Sequence, residues 1–104
     1  VKNLKSIFEV PGVDAFIVGP YDLSGSLGIP GDFQHADFQS AMSEISSISA
    51  ELGIPGGVHV VEPDTEEVLT RMREGYRLIA YSVDIRLLDV GSRNGLEAIW
   101  RNQS

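Results

Sequence analysis

Ala15-Phe16-Ile17-Val18 followed by Gly19-Pro20-Tyr21-Asp22-Leu23-Ser24-Gly25-Ser26-Leu27-Gly28 is the stretch that decides the fold. An unbroken apolar run, without the alternation of a half-exposed strand, is the pattern of a β-strand buried on both faces of a parallel sheet. The segment after it, rich in Gly, Pro and Ser, reads as a loop whose residues permit unusual backbone angles. Downstream, Phe38, Met42, Ile45, Ile48 and Leu52 recur at three and four residues, which predicts a helix over 36–52 that Gly53 closes. Gly57 to Val61 predicts a second short strand. Asp64-Thr65-Glu66-Glu67 then has the spacing of a capping box and opens a helix through Val68, Leu69 and Met72, ended by Gly75. Leu78 to Val83, finishing at Asp84, predicts a third strand, and Leu87 to Trp100 a last helix weakened by Gly91 and Gly95. Upstream, Leu4, Ile7 and Phe8 share one face of a helix over Lys2 to Val10, which Pro11-Gly12 stops.

The order is therefore one helix and then β-α three times, which makes an α/β chain with a parallel sheet covered by helices. Three strands are few for such a sheet. A closed (β/α)₈ barrel takes about 250 residues, so residues 1–104 read as a single piece of one barrel domain, with no linker, repeat or second domain.

Composition narrows the class. The formal charge of -7, from 15 acidic and 8 basic residues, offers no basic patch for nucleic acid or an anionic membrane surface. There is no cysteine, which excludes disulfides, thiolate metal sites and cysteine nucleophiles within the chain. No apolar run approaches the roughly 18 residues of a membrane span. Val1 begins directly in an amphipathic pattern, without an initiator Met or a signal peptide, so a true N-terminus is expected upstream; a cytoplasmic location is the expectation.

Each predicted strand ends near a carboxylate: Asp22, Glu62 with Asp64, and Asp84. In parallel α/β proteins reactive groups gather at those strand ends. From spacing alone, Asp22 fits two roles: a hard oxygen ligand for a divalent cation, or a turn or cap residue before Leu23-Ser24. Glu62 and Asp84 are candidates either to tune such a metal or to cap and solvate the following helices, while Asp64 is assigned the capping role. His59, inside a strand, is expected to be a hydrogen-bonded histidine packed in the core or standing behind the ligands of a site, rather than a catalytic one, His35 a residue at a helix start, and Ser24 a turn or cap residue with no base beside it. Trp100 and the apolar stripe of the last helix are expected to pack.

Gly12-Val13-Asp14, Phe16-Ile17-Val18-Gly19-Pro20-Tyr21-Asp22-Leu23-Ser24 and Ser26-Leu27-Gly28-Ile29-Pro30-Gly31 together resemble the signature of the HpcH/HpaI aldolases. The likeness continues through Gly57-Val58-His59-Val60, Pro63-Asp64, Glu74-Gly75-Tyr76-Arg77-Leu78-Ile79-Ala80 and Val83-Asp84, nearly the whole chain. The resemblance implies a (β/α)₈ TIM barrel, of which this chain is the C-terminal three β-α units preceded by one helix. It implies that Asp22 binds a divalent metal together with a Glu from the preceding strand; the hard carboxylate oxygen suits Mg²⁺ or Mn²⁺, with other divalent ions left open. It also implies that the backbone amides of Tyr21 and Asp22 hold the carboxylate of pyruvate. Tyr21 departs from the small residue often found there, which bears on substrate fit more than on binding. The Glu, an Arg that grips pyruvate and a His that assists proton transfer have no match here, so no catalytic side chain is assigned.

The reaction implied is metal-dependent, reversible aldol cleavage of a 2-oxo-4-hydroxy acid to pyruvate and an aldehyde. The substrate would be a 2-keto-3-deoxy sugar acid or a 2,4-dihydroxyhept-2-enedioate type compound, in aromatic or sugar acid catabolism. A homo-oligomer, a hexamer, with the last helix exchanged between subunits, is likewise implied. A lysine Schiff base is the other way to stabilise the charge, but Lys2 and Lys5 both lie on the opening helix. Two alternatives stand beside the aldolase reading. One is an acyl-CoA or citrate lyase type relative, which Gly28-Ile29-Pro30-Gly31 disfavours; the other is a non-catalytic piece acting as a binding or assembly module.

Overall fold

A computed structural model describes residues 1–103. The chain runs α1 (Leu4–Phe8), β1 (Phe16–Val18), α2 (Pro20–Ser26), α3 (Ala36–Leu52), β2 (Gly56–Val60), α4 (Thr65–Arg73), β3 (Leu78–Tyr81) and α5 (Asp84–Arg101). The three strands are parallel, in the order β1-β2-β3. The α/β class and the helix over 36–52 agree with the sequence. No described helix is long and apolar enough to cross a membrane.

Two local expectations are corrected. The stretch after β1, expected as a loop, winds into α2. Pro20 stands at the first helical position, where its fixed φ is suited and its missing N–H costs nothing. The Ser24 and Ser26 hydroxyls donate to the carbonyls of Tyr21 and Leu23 at 3.1 and 2.8 Å, absorbing polar groups within the turn. Ser24 is fully buried and also accepts from the Gly31 amide at 3.0 Å, which closes the turn that follows α2. The second correction lies at β3, which stops at Tyr81 rather than Val83 because Ser82 adopts a left-handed φ of 56°. The ladder ends there and α5 starts at Asp84 rather than Leu87.

The register puts Gly57 between Ile17 and Leu78. A Cβ at Gly57 would lie 2.9 Å from the Leu78 carbonyl and 3.0 Å from that of Phe16, so only glycine lets both neighbours close on the central strand. One face of the sheet is covered: Val18 and Val58 pack with Phe38, Met42 and Ile45 of α3 and with Tyr76, and this is the core. The Phe8 and Phe16 rings, 4.7 Å apart, extend it under α1. The other face, carrying Ile17, Gly57 and Leu78 in one row, has no helix on it among the described residues. Ile17 is 51% and Leu78 54% exposed.

The expectation that Trp100 and the apolar stripe of the last helix pack is also corrected. Helix α5 buries no residue, and Trp100 is 70% exposed. Its roughly 27 Å length projects from the sheet, which is why the radius of gyration is 17.1 Å against the about 13 Å of a compact chain this size. Its root is tied by ions. Arg86 bridges Glu62 at 2.7 Å and Asp89 at 2.6 Å, and Asp89 in turn meets Arg93 at 2.7 Å. The hydrogen bond from Arg93 holds the Asp89 carboxyl below its ordinary value. Such exposed pairs orient more than they stabilise.

Two substitutions test this account by urea denaturation. Phe38→Ala empties the centre of the covered face and should cost about 3–5 kcal/mol, enough to unfold a chain with one small core. Ser82→Gly removes a left-handed non-glycine residue and a buried hydroxyl without a partner. Against the entropy of glycine it should gain roughly 1 kcal/mol, read as a higher midpoint at unchanged slope; a lower midpoint would show that Ser82 is not strained.

Candidate site at the strand mouth

Gly19 is extended, with φ −91° and ψ 104°, so the alternation of β1 carries through it. Ile17 faces the open side of the sheet, Val18 the helices, and Gly19 the open side again. A Cβ built at Gly19 would come within 2.6 Å of Asp22 Oδ2. The first turn of α2 therefore folds the Asp22 carboxylate back over Gly19, on the open face, and the absence of a side chain at Gly19 leaves room for it.

Asp22 belongs to the first turn of α2 but does not cap it: the helix has no side-chain cap hydrogen bond. Among the described residues its carboxylate makes no hydrogen bond or ion pair. It lines, with Ile17, Gly19, Leu4 and Ile7, a groove of about 400 Å³ between α1 and the free edge of β1. The N–H groups of Tyr21 and Asp22, the second and third of α2, precede the first possible intrahelical acceptor and stay available. The Tyr21 ring packs edge-on against Phe33 at 5.0 Å, and Phe33 against the core residue Phe38 at 5.1 Å. That stack fixes where those amides stand.

The other carboxylates have different work. Asp64 Oδ1 accepts from the amides of Glu66 and Glu67 at 2.9 and 3.2 Å and caps α4, as expected. The reciprocal half of a capping box is missing, since Glu67 pairs with Arg71. Glu62 is held by Arg86 at the root of α5, and Asp84 Oδ1 accepts from the Ile85 amide at 2.8 Å. His35 sits at the N-cap of α3, its Nδ1 accepting from the Asp37 amide at 3.1 Å. Lys5 is bound to Glu51 at 2.6 Å, and that hydrogen bond raises its pKa, which keeps it an ammonium rather than a nucleophile.

His59 stands apart from its expectation in one respect. It is hydrogen-bonded, Nε2 lying 2.8 Å from the Ser82 carbonyl, but it is only half-buried, and alternation with Val58 and Val60 sets it on the open face. The two-residue step from Gly57 was the signal for this in the sequence. Where β1 has turned off into α2, a cavity of about 240 Å³ opens beside the end of β2, lined by Tyr21, Phe33, His59, Glu62 and Arg71 among others.

The donor chemistry at Asp22 fits a divalent cation: a hard, unpaired oxygen pair in an open groove. Among the described residues no three His, Asp or Glu side chains gather at one point, so Asp22 would supply one ligand and the rest would come from elsewhere.

The model of the HpcH/HpaI aldolase/citrate lyase family matches residues 1–89. A hydroxypyruvate/pyruvate aldolase of Paraburkholderia phytofirmans is 34% identical over 99 residues, which are 95% of this chain and 37% of that protein. A 4-hydroxy-2-oxo-heptane-1,7-dioate aldolase of Escherichia coli is 35% identical over 89 residues, 85% of this chain and 33% of that protein. The crystal structure of a family member from Burkholderia cenocepacia superposes with a TM-score of 0.87 at 34% identity, over 94% of this chain and 37% of the other. This chain thus spans little more than a third of the length of the relatives it matches, and over that span it belongs to the HpcH/HpaI aldolase/citrate lyase family.

Proposed function

We propose that the complete protein is a divalent-metal-dependent lyase that reversibly cleaves a 2-oxo-4-hydroxy acid to pyruvate and an aldehyde, and that residues 1–104 are the last three β-α units of its (β/α)₈ barrel. The observation that carries this reading is the unpaired Asp22 carboxylate, folded over Gly19 beside an unpaired strand edge. A parallel strand added at that edge would run in the groove between β1 and α1, and its C-terminal end would arrive next to Asp22. That is where a second carboxylate ligand is needed.

Within this reading, Asp22 holds Mg²⁺ or Mn²⁺ through a carboxylate oxygen, and the Tyr21 and Asp22 amides receive the carboxylate of pyruvate. The cation, when bound, supplies Lewis-acid stabilisation for the negative charge that develops on the keto oxygen as the carbon–carbon bond breaks. The chain's own part is positional. Gly19 leaves space for the ligand, the Phe33–Tyr21 stack fixes the amides, and the Ser24 hydroxyl locks the turn behind them. The open row of Ile17 and Leu78 supports completion by further strands, because exposed apolar surface of this kind is covered in a stable barrel. The apolar stripe of α5 supports a homo-oligomer. The same exposures favour a second reading for the 104 residues taken alone, a non-catalytic piece that self-associates. The names of the relatives favour aldol chemistry over acyl-CoA cleavage.

Pyruvate release by the complete protein tests the reading. Chelation should abolish it, and Asp22→Asn should lower kcat/KM at least about a hundredfold, since a Lewis acid contributes several kcal/mol; full activity in either case would refute the metal role. Gly19→Ala, whose methyl would displace Asp22 Oδ2, should weaken Mn²⁺ binding while leaving the unfolding midpoint nearly unchanged. Equal Mn²⁺ affinity in that variant would show that the carboxylate need not lie where it does.

A further inference from the structure

The row of the open face nearest the strand mouth contains one sizeable side chain. His59 pairs with Ala80, and Gly19, one step beyond the Val18–Val58 couple, stands on its other side. Beside the imidazole are therefore a methyl group and a bare backbone, and over that backbone lies the Asp22 carboxylate. His59 lines the cavity at the end of β2 together with Tyr21, and Asp22, the next residue after Tyr21, lines the neighbouring groove between α1 and β1.

The hydrogen bond to Ser82 determines what the ring offers. A carbonyl only accepts, so Nε2 carries the hydrogen at 2.8 Å, and a neutral imidazole then has an unprotonated Nδ1 with a lone pair. Among the described residues Nδ1 has no hydrogen-bond partner. Ser82 supplies a second, independent observation. Among the described residues it alone, outside glycine, has a positive φ, and its buried Oγ finds no partner. Both features cost stability, and such costs concentrate where a functional group must be held in place. Here the group held is the imidazole.

We propose that His59 is a specificity-determining residue: latched to the Ser82 carbonyl through Nε2–H, it accepts at Nδ1 a hydrogen bond from a hydroxyl of the aldehyde half of the substrate. The proposal rests on the aldolase reading. A lone pair selects a donor, and pyruvate at neutral pH has none, since its carboxylate and ketone only accept. The partner is therefore on the other half, and since the 4-hydroxyl arises from the carbonyl of every aldehyde, the donor that His59 selects is a hydroxyl beyond C4.

Two variants separate the ring's two nitrogens. His59→Gln can still donate to Ser82 but places no acceptor near Nδ1; His59→Asn places an amide oxygen near Nδ1 but loses the latch. The complete protein is assayed in the condensation direction with pyruvate and either glyceraldehyde, which has hydroxyls, or propionaldehyde, which has none. His59→Gln should raise KM for glyceraldehyde about tenfold, the worth of one hydrogen bond, leave propionaldehyde unchanged, and show His59→Asn recovering most of the difference. Equal losses with both aldehydes, or His59→Asn no better than His59→Gln, would overturn the proposal in favour of a structural latch. Nitrogen-15 spectra of His59 give a readout independent of turnover. The Nε2–H tautomer is required, and a protonated Nδ1 overturns the proposal. If the unaltered protein condenses neither aldehyde, the aldolase reading fails by itself; a shift of the Nδ1 resonance on adding glyceraldehyde but not propionaldehyde would then support the hydroxyl contact, and no shift would overturn it.

Discussion

One-sided burial of the sheet is the constraint on which the rest depends. Val18 and Val58 turn toward Phe38, Met42 and Ile45, and this contact fixes which residues of each strand face the helices. With a side-chain period of two, every other residue is then committed to the opposite face. Ile17, Gly19, Gly57, His59, Leu78 and Ala80 are placed by that alternation as firmly as the core is. Gly57 adds the second condition, since its missing side chain allows β1 and β3 to close on β2 at hydrogen-bonding distance. The groups with chemistry to offer, Asp22 and His59, are on the open face because Val18, Val58 and Val60 are on the other.

Much of this was legible in the residues, and for a physical reason in each case. The three strands announced themselves because a parallel sheet demands continuous apolar runs, and α3 because its stripe covers that sheet. Asp64 and His35 were readable as caps because capping is local, settled within three residues. What the residues did not reveal depends on geometry across the chain or on a competition between local preferences. Gly19 to Gly28 has loop composition, yet Pro20 at the first helical position and two serines bonding back within the turn favour a helix. Ser82 ends β3 early through a backbone angle that no serine signals. The stripe of α5 is truly amphipathic, but a stripe does not say which surface covers it, and among the described residues none does.

For the site, spacing alone left Asp22 between turn residue and ligand. The family resemblance favoured the ligand, and the geometry adds a physical argument: among the described residues the carboxylate caps nothing and pairs with nothing, and it lies over a glycine on the open face. Glu62 moves the other way, since Arg86 holds it at the root of α5. His59 gains most, because its exposure and its tautomer depend on a partner 23 residues away.

The central claim is that Asp22 is one protein ligand of a divalent cation completed by residues beyond this span. The most direct measurement is anomalous diffraction at the manganese edge from crystals of the complete protein grown with Mn²⁺. The account predicts a peak about 2.1 Å from an Asp22 carboxylate oxygen, with a second carboxylate from the strand that pairs with the free edge of β1. A fully occupied manganese elsewhere, with the Asp22 carboxylate left uncoordinated, would contradict it.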